Sequence, residues 1–414
     1  MAVTRLLIAV VAALAVGVVA YFAWVGRRAT SIEVGIPQAL ADERASRIRD
    51  LTYEASFDIP AARTEPIHGS ITARFTLNDV AAPLVFDFAQ PAEKFLGATV
   101  NGQATSEVAS RNGHLIVPAN LLVPGQPNEV TLTFVAGDEA LNRQDEFLYT
   151  LFVPARASLA MPVFDQPNLK ARWVLSLEIP DGWTAVANGA TTGEIRLNNR
   201  TQLIFAKTEP LPTYLFAFAA GKFLIETGER DGRQFRMLHR ETDAAKVARN
   251  RDAIFDLHHT ALRWLEDYTA IPYPFGKFDF VAIPSFQFGG MEHAGAVFYN
   301  ASSMFLDETA TQNQRLGRAS LIAHETAHMW FGDLVTMQWF NDVWMKEVFA
   351  NFMAAKIVNP AFPEVNHDLR FLYSHYPAAY EVDRTAGANP IRQPLANLNE
   401  AGSLYGAIIY QKAP

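Results

Sequence analysis

The sequence predicts a multidomain chain: a β-rich N-terminal half, built as a sandwich or saddle-shaped sheet, followed by an α+β half that carries a metal site. Three observations lead there. Short alternating apolar runs recur between turn signals across residues 51–223, the period of half-buried strands. From residues 242–268 onward the apolar spacing becomes helical. Within the second half, His324, Glu325 and His328 form an H-E-x-x-H pattern, and Glu347 follows after eighteen intervening residues.

Composition sets the frame. The chain has 414 residues, half of them apolar, which is enough for two or three domains with substantial cores and too apolar for disorder. A net charge of -8 supplies no basic surface, which argues against nucleic acid and against a polybasic membrane-binding face. Cysteine is absent, so disulfides and thiolate ligands are excluded, and His, Asp and Glu remain for binding a metal.

Residues 6–25 are twenty apolar residues between Arg5 and the Arg27-Arg28 pair, long enough as a helix to span about 30 Å of hydrocarbon. Residues 1–28 therefore read as a membrane anchor or signal segment. The length of the apolar core and the lack of a clear cleavage site favour the anchor. The catalytic part is then expected on the periplasmic or extracellular side, although the flanking arginines leave orientation open. Residues 29–50 read as a spacer with a short surface helix.

Residues 51–223 form the expected β-domain, with SITARFTLND, EVTLTFVAG, RWVLSLEIPDGW and YLFAFAAG among its strands. Asp181-Gly182 and Asn188-Gly189 are turn pairs. Residues 224–414 form the second domain. His258 and His259 on its first helix point about 100° apart and read as ordinary helix residues rather than ligands. Residues 277–283 read as a strand, and FGGMEHAGAVFY as a glycine-led loop running into another. Gly289 and Gly290 allow a close approach there, with Glu292 and His293 beside whatever approaches. Residues 362–399 look loop-rich, and residues 404–413 begin a helix.

On a helix, His324 and His328 share one face and Glu325 flanks it. A hydrolytic zinc site takes three protein ligands and keeps a fourth position for water, so one more ligand is needed. Gly332 and Asp333 interrupt the first helix and Asn341 or Asp342 can cap a second, which brings Glu347 back towards the histidines. A third histidine within the same segment is ruled out, because Leu334 stands at that position.

With these stretches in hand, the chain resembles the aminopeptidase N family of zinc peptidases, which includes leukotriene hydrolase. HETAH, Glu347 and the intervening WFGDLVTMQWFNDVW are similar to the family's metal signature. FGGMEH is similar to its G-x-M-E-N exopeptidase motif, Tyr410-Gln411-Lys412 to its tyrosine motif, and MPVFDQPNLKA and TYLFAFAAGKF to its first β-domain. The resemblance implies a β-domain, a thermolysin-like zinc catalytic domain, and removal of N-terminal residues from peptides with a free N-terminus.

By the same resemblance, His324, His328 and Glu347 would hold one zinc ion, with Glu325 as general base and Tyr410 as donor to the oxyanion. Gly289, Gly290, Met291, Glu292 and His293 would bind substrate, Glu292 receiving its α-ammonium. Three departures stand out. His293 replaces the usual asparagine, and Leu151 replaces a glutamine that many members carry. The chain also ends at Pro414, where the family's helical C-terminal domain is expected to be absent. A zinc endopeptidase or broader hydrolase, and an inactive peptide-binding or structural protein, are the alternatives.

Overall fold

In the first half, strands whose residues alternate between buried and exposed positions set the layers. The computed structural model describes residues 32–414, so the apolar segment 6–25 lies outside the described residues. Among those described, no helix is long and apolar enough to cross a membrane.

An eight-stranded sheet runs in the order Thr191–Leu197, Arg200–Phe205, Arg172–Pro180, Ile48–Asp58, His68–Leu77, Pro127–Val135, Phe95–Val100, Gln103–Thr105. Ile48–Asp58 and Arg172–Pro180 pair in parallel, and the sheet's other neighbours are antiparallel. Two three-stranded sheets complete this half. Its core is aromatic: Trp173 stacks on Phe216 with ring centroids 4.1 Å apart and meets the tilted ring of Tyr53 at 4.5 Å. Each such fully buried ring contributes roughly 1.5–3 kcal/mol through burial alone.

The helix expected on the surface before this domain is docked instead. In Gln38–Arg47, Ala41 and Arg44 are fully buried. The Arg44 guanidinium donates to both oxygens of Asp87, at 2.6 and 2.8 Å, and His114 Nδ1 lies 2.9 Å from the same carboxylate. Periodicity counts arginine as solvent-facing, whereas a bidentate partner offsets its desolvation.

The second half opens with two strands that pair outside the β-domain. Its five-stranded sheet runs Leu224–Arg230, Arg233–His239, Phe278–Ile283, Ala296–Asn300, Gly290–Met291. Helix Ala244–Thr269 connects the parallel pair Arg233–His239 and Phe278–Ile283, and Asp243 caps it by accepting the N–H groups of Ala245 and Lys246. His258 is a core residue of this helix: Nδ1 lies 2.8 Å from the Ile254 carbonyl oxygen and Nε2 3.1 Å from the Tyr299 hydroxyl.

Helices Gln312–His328 and Val343–Val358 pack together and carry the metal pattern. Residues 362–399, expected as loop, contain helix His367–Asp383. Leu369, Leu372, Tyr373, Tyr376 and Tyr380 stand at helical spacing along it and are exposed, but Pro377 inside it reads as a breaker, which is why the expectation fails.

Candidate active site

The two metal helices meet at one point. Thr311 and Gln314 form a capping box that starts Gln312–His328 at a defined turn, and His324 and His328 then fall on one face. Their Nε2 atoms are 3.0 Å apart, and Glu347 Oε2, from the second helix, lies 3.4 and 3.5 Å from them. Donors at about 2.0–2.2 Å from a tetrahedral zinc ion stand roughly 3.3–3.5 Å from one another, so the three residues fit that ion. Both outer nitrogens are engaged: His324 Nδ1 lies 2.9 Å from Asn351 Oδ1, and His328 Nδ1 lies 3.0 Å from the Phe331 carbonyl oxygen. These acceptors assign the ring protons to Nδ1, leaving both Nε2 lone pairs to face the same point.

The β-domain braces the turn between the helices. Tyr214 donates its hydroxyl to the Gly332 carbonyl at 3.2 Å, and Lys170 Nζ donates to the carbonyls of Asp333 and Leu334 at 2.9 and 3.1 Å. Gly332 there has φ +149°, a backbone that favours glycine. Asp342 sits at the N-cap position of the second helix without capping it, its carboxylate being held by Arg392 at 2.6 and 3.1 Å.

Glu325 is buried beside the metal point. Burial pushes its carboxyl up to about 8, with Glu292 and Glu347 adding to the push and His324 opposing it. A Cβ added at Gly290 would lie 2.5 Å from Glu325 Oε1, so the glycine is what lets this carboxylate lie against the strand Gly290–Met291.

Glu292 is buried too. It pairs with Lys346, whose Nζ also lies 3.2 Å from Glu347 Oε1 and 5.3 Å from the centroid of the Tyr214 ring. Burial opposes the Glu292 charge, but the Lys346 ammonium outweighs it and holds the carboxyl below its usual range. Lys346 escaped the sequence reading; its one signal is a cation within the apolar run of the second helix, directly before Glu347.

A cavity of about 990 Å³ opens over these groups and is lined by Gly289, Gly290, Met291, Glu292, Glu325 and Tyr410, among others. The segment from Val153 to Leu159 contributes the β-domain's side of it. Burial raises the Tyr410 pKa, so the phenol stays a donor. Tyr405, not singled out by sequence, lines the same cavity with its ring centroid 6.4 Å from that of Tyr410. His293, expected on the substrate side, is instead fully buried with its ring edge-on to Phe298 at 4.6 Å, and burial takes its pKa down to about 3. Leu151 is likewise buried in the core.

A β-domain braced against two helices that bring two imidazoles and a carboxylate to one point, with a further buried acid beside them, defines an H-E-x-x-H metallopeptidase architecture. Residues 51–215 match the family model described as the Peptidase M1 N-terminal domain, and residues 254–414 match that of the Peptidase family M1 domain. The chain belongs to this family, the aminopeptidase N family of zinc metallopeptidases. It is 33% identical over 277 residues to a puromycin-sensitive aminopeptidase of Caenorhabditis elegans, a match covering 66% of this chain and 29% of that protein. It is 29% identical to a leucyl aminopeptidase of Saccharolobus solfataricus, over 77% of this chain and 41% of the relative, and 28% identical to aminopeptidase N of Streptomyces lividans, over 90% and 44%. The matched stretch thus spans less than half the length of each of these relatives.

Proposed function

We propose that this chain is a zinc aminopeptidase that hydrolyses the N-terminal bond of peptides. The observation that carries the reading is the placement of Glu325 beside a three-donor point, in a cavity whose wall includes Glu292. The relatives named above are aminopeptidases, which supports the same reading.

His324, His328 and Glu347 would hold the ion. Zinc bound there would supply a Lewis acid that polarises a carbonyl and lowers the pKa of water towards about 7. Glu325 takes the proton of the attacking water and later gives it to the leaving amine. The Tyr410 hydroxyl donates to the oxygen on which negative charge develops. Glu292, at the wall of the cavity, meets the N-terminal end of the substrate, which sets where the peptide stops. Residues 6–25 would anchor the chain, with the catalytic domain on the periplasmic or extracellular side.

The test is a peptide ladder. A ten-residue peptide incubated with zinc-loaded protein and read by mass spectrometry should lose residues singly from its N-terminus, and a chelator should stop the loss. Early fragments cut internally would favour the endopeptidase instead. Zinc binding with no cleavage of any peptide would favour a binding protein.

A further inference from the structure

Lys346 is an unusual occupant of a site meant for a cation from outside. Its ammonium is buried, pairs directly with Glu292 and reaches Glu347 at 3.2 Å. The Tyr214 ring closes over it, its centroid 5.3 Å from Nζ. Lys346 and Glu292 both line the cavity that holds the metal point, so a substrate's amine that enters meets the pair and not a lone carboxylate.

The charge arithmetic follows. A lone Glu292 would present one negative charge to an incoming ammonium. Paired with Lys346 it presents no net charge, and a second cation must share an oxygen already engaged or approach within repulsive range of Nζ. A neutral N-acyl group meets no such repulsion.

We infer that Lys346 is a specificity-determining residue: as an internal ammonium on Glu292, it weakens the cleft's preference for free over blocked N-termini and widens its substrates towards N-acylated peptides. This rests on the reading that Glu292 faces the N-terminal end of the substrate. It identifies Lys346 as the residue that sets how strictly that end must be charged.

The experiment measures binding of leucinamide and N-acetyl-leucinamide to zinc-loaded protein by calorimetry, so it does not depend on turnover. For Lys346→Met, the affinity for leucinamide should rise by about 10-fold to 100-fold, the size of one charge-assisted hydrogen bond regained, while that for the acetylated probe stays within about threefold. An unchanged ratio of the two affinities in folded, zinc-containing Lys346→Met overturns the inference, as does undetectable leucinamide binding to that variant. Because Lys346→Met leaves a buried carboxylate unpaired and can fail to fold, Lys346→Met combined with Glu292→Gln is the second arm. With both charges gone the ratio should stay within about threefold of wild type, since the pair is neutral either way. A collapse of preference for the free amine in the double variant would show that Glu292 recognises ammonium despite Lys346, and would overturn the inference. Loss of all peptide cleavage with these binding shifts intact would remove the aminopeptidase reading and leave the role of Lys346 standing.

Discussion

The Oδ1 of Asn351 accepts the Nδ1 proton of His324 at 2.9 Å, across the gap between the two metal helices. Asn351 lies one turn beyond Glu347 on the same helix, so a single element would supply one donor to the proposed ion and orient another. Partners of this kind fix the tautomer and the aim of a ligating imidazole. Asn351→Ala should therefore weaken zinc binding by about 10-fold to 100-fold, and Asn351→Asp should restore it. Competition against a chromogenic chelator reads both. Unchanged affinity in the alanine variant would mean that packing alone holds the ring.

Gly290 offers a second handle, because it acts on the proposed base and leaves the proposed ligands untouched. The Cβ of Gly290→Ala would lie 2.5 Å from Glu325 Oε1, and that carboxylate must move. A misplacement of about 1 Å costs on the order of 100-fold in rate. We expect kcat to fall by about that factor with zinc content unchanged, as measured by peptide turnover beside metal analysis. Loss of zinc in step with activity would show that the strain had reached His324 or His328.

Removing the proposed base itself should give a larger loss. Glu325→Gln keeps the shape of the side chain but cannot accept a proton, and a positioned general base contributes about 10²–10⁴-fold. Turnover should fall within that range, with three zinc donors left in place. A variant that keeps more than a tenth of wild-type turnover would require another residue to carry the proton.

Much of this site could be read along the chain because its spacing is local. His324, Glu325 and His328 occupy one helical turn, and Glu347 sits on the next helix, so periodicity and turn signals were enough. What escaped was tertiary. Lys346 reads along the chain only as a lone cation in an apolar helix, and only the fold brings Glu292, just after the distant strand Gly290–Met291, against it. Arg44 escaped for the same reason, since Asp87 is remote in sequence. The strand Leu224–Arg230 is largely exposed and lacks a buried face, so no alternation announced it. His293 was read by its neighbours along the chain, whereas the pairing of Ala296–Asn300 with Phe278–Ile283 places Phe298 against its ring.

The Arg44–Asp87 pair makes a stability prediction in the β-domain. Both side chains are almost completely buried, and His114 and the Asp165 backbone N–H complete the carboxylate's partners. Arg44→Met leaves Asp87 charged and under-partnered, which for a buried pair costs about 3–5 kcal/mol. Urea denaturation should show a loss of that size. A loss below about 1 kcal/mol would mean that His114 and the backbone suffice for Asp87.

Two buried histidines contribute to the response to mild acid. His258 and His293 are fully buried, and burial takes each pKa down to about 3 from an ordinary value of 6.5. The unfolded chain takes up a proton at each near pH 6.5 while the folded chain does not. Stability from these residues is therefore complete above pH 6.5 and is lost as pH falls towards 3. Well below pH 6.5 each histidine contributes a slope of up to about 1.4 kcal/mol per pH unit, or about 2.7 for the two. Loss of a bound zinc ion on acidification falls in the same range, so the total slope alone cannot identify the cause. Comparison with His258→Gln can, because the metal groups are common to both proteins. The variant should be less stable at pH 7, where the hydrogen bonds to Ile254 and Tyr299 are lost, yet its unfolding free energy should fall less steeply between pH 6 and 5, by up to about 1.4 kcal/mol per unit. Parallel slopes for the two proteins would mean that His258 takes up its proton in the folded state, and that its ring is open to water in solution.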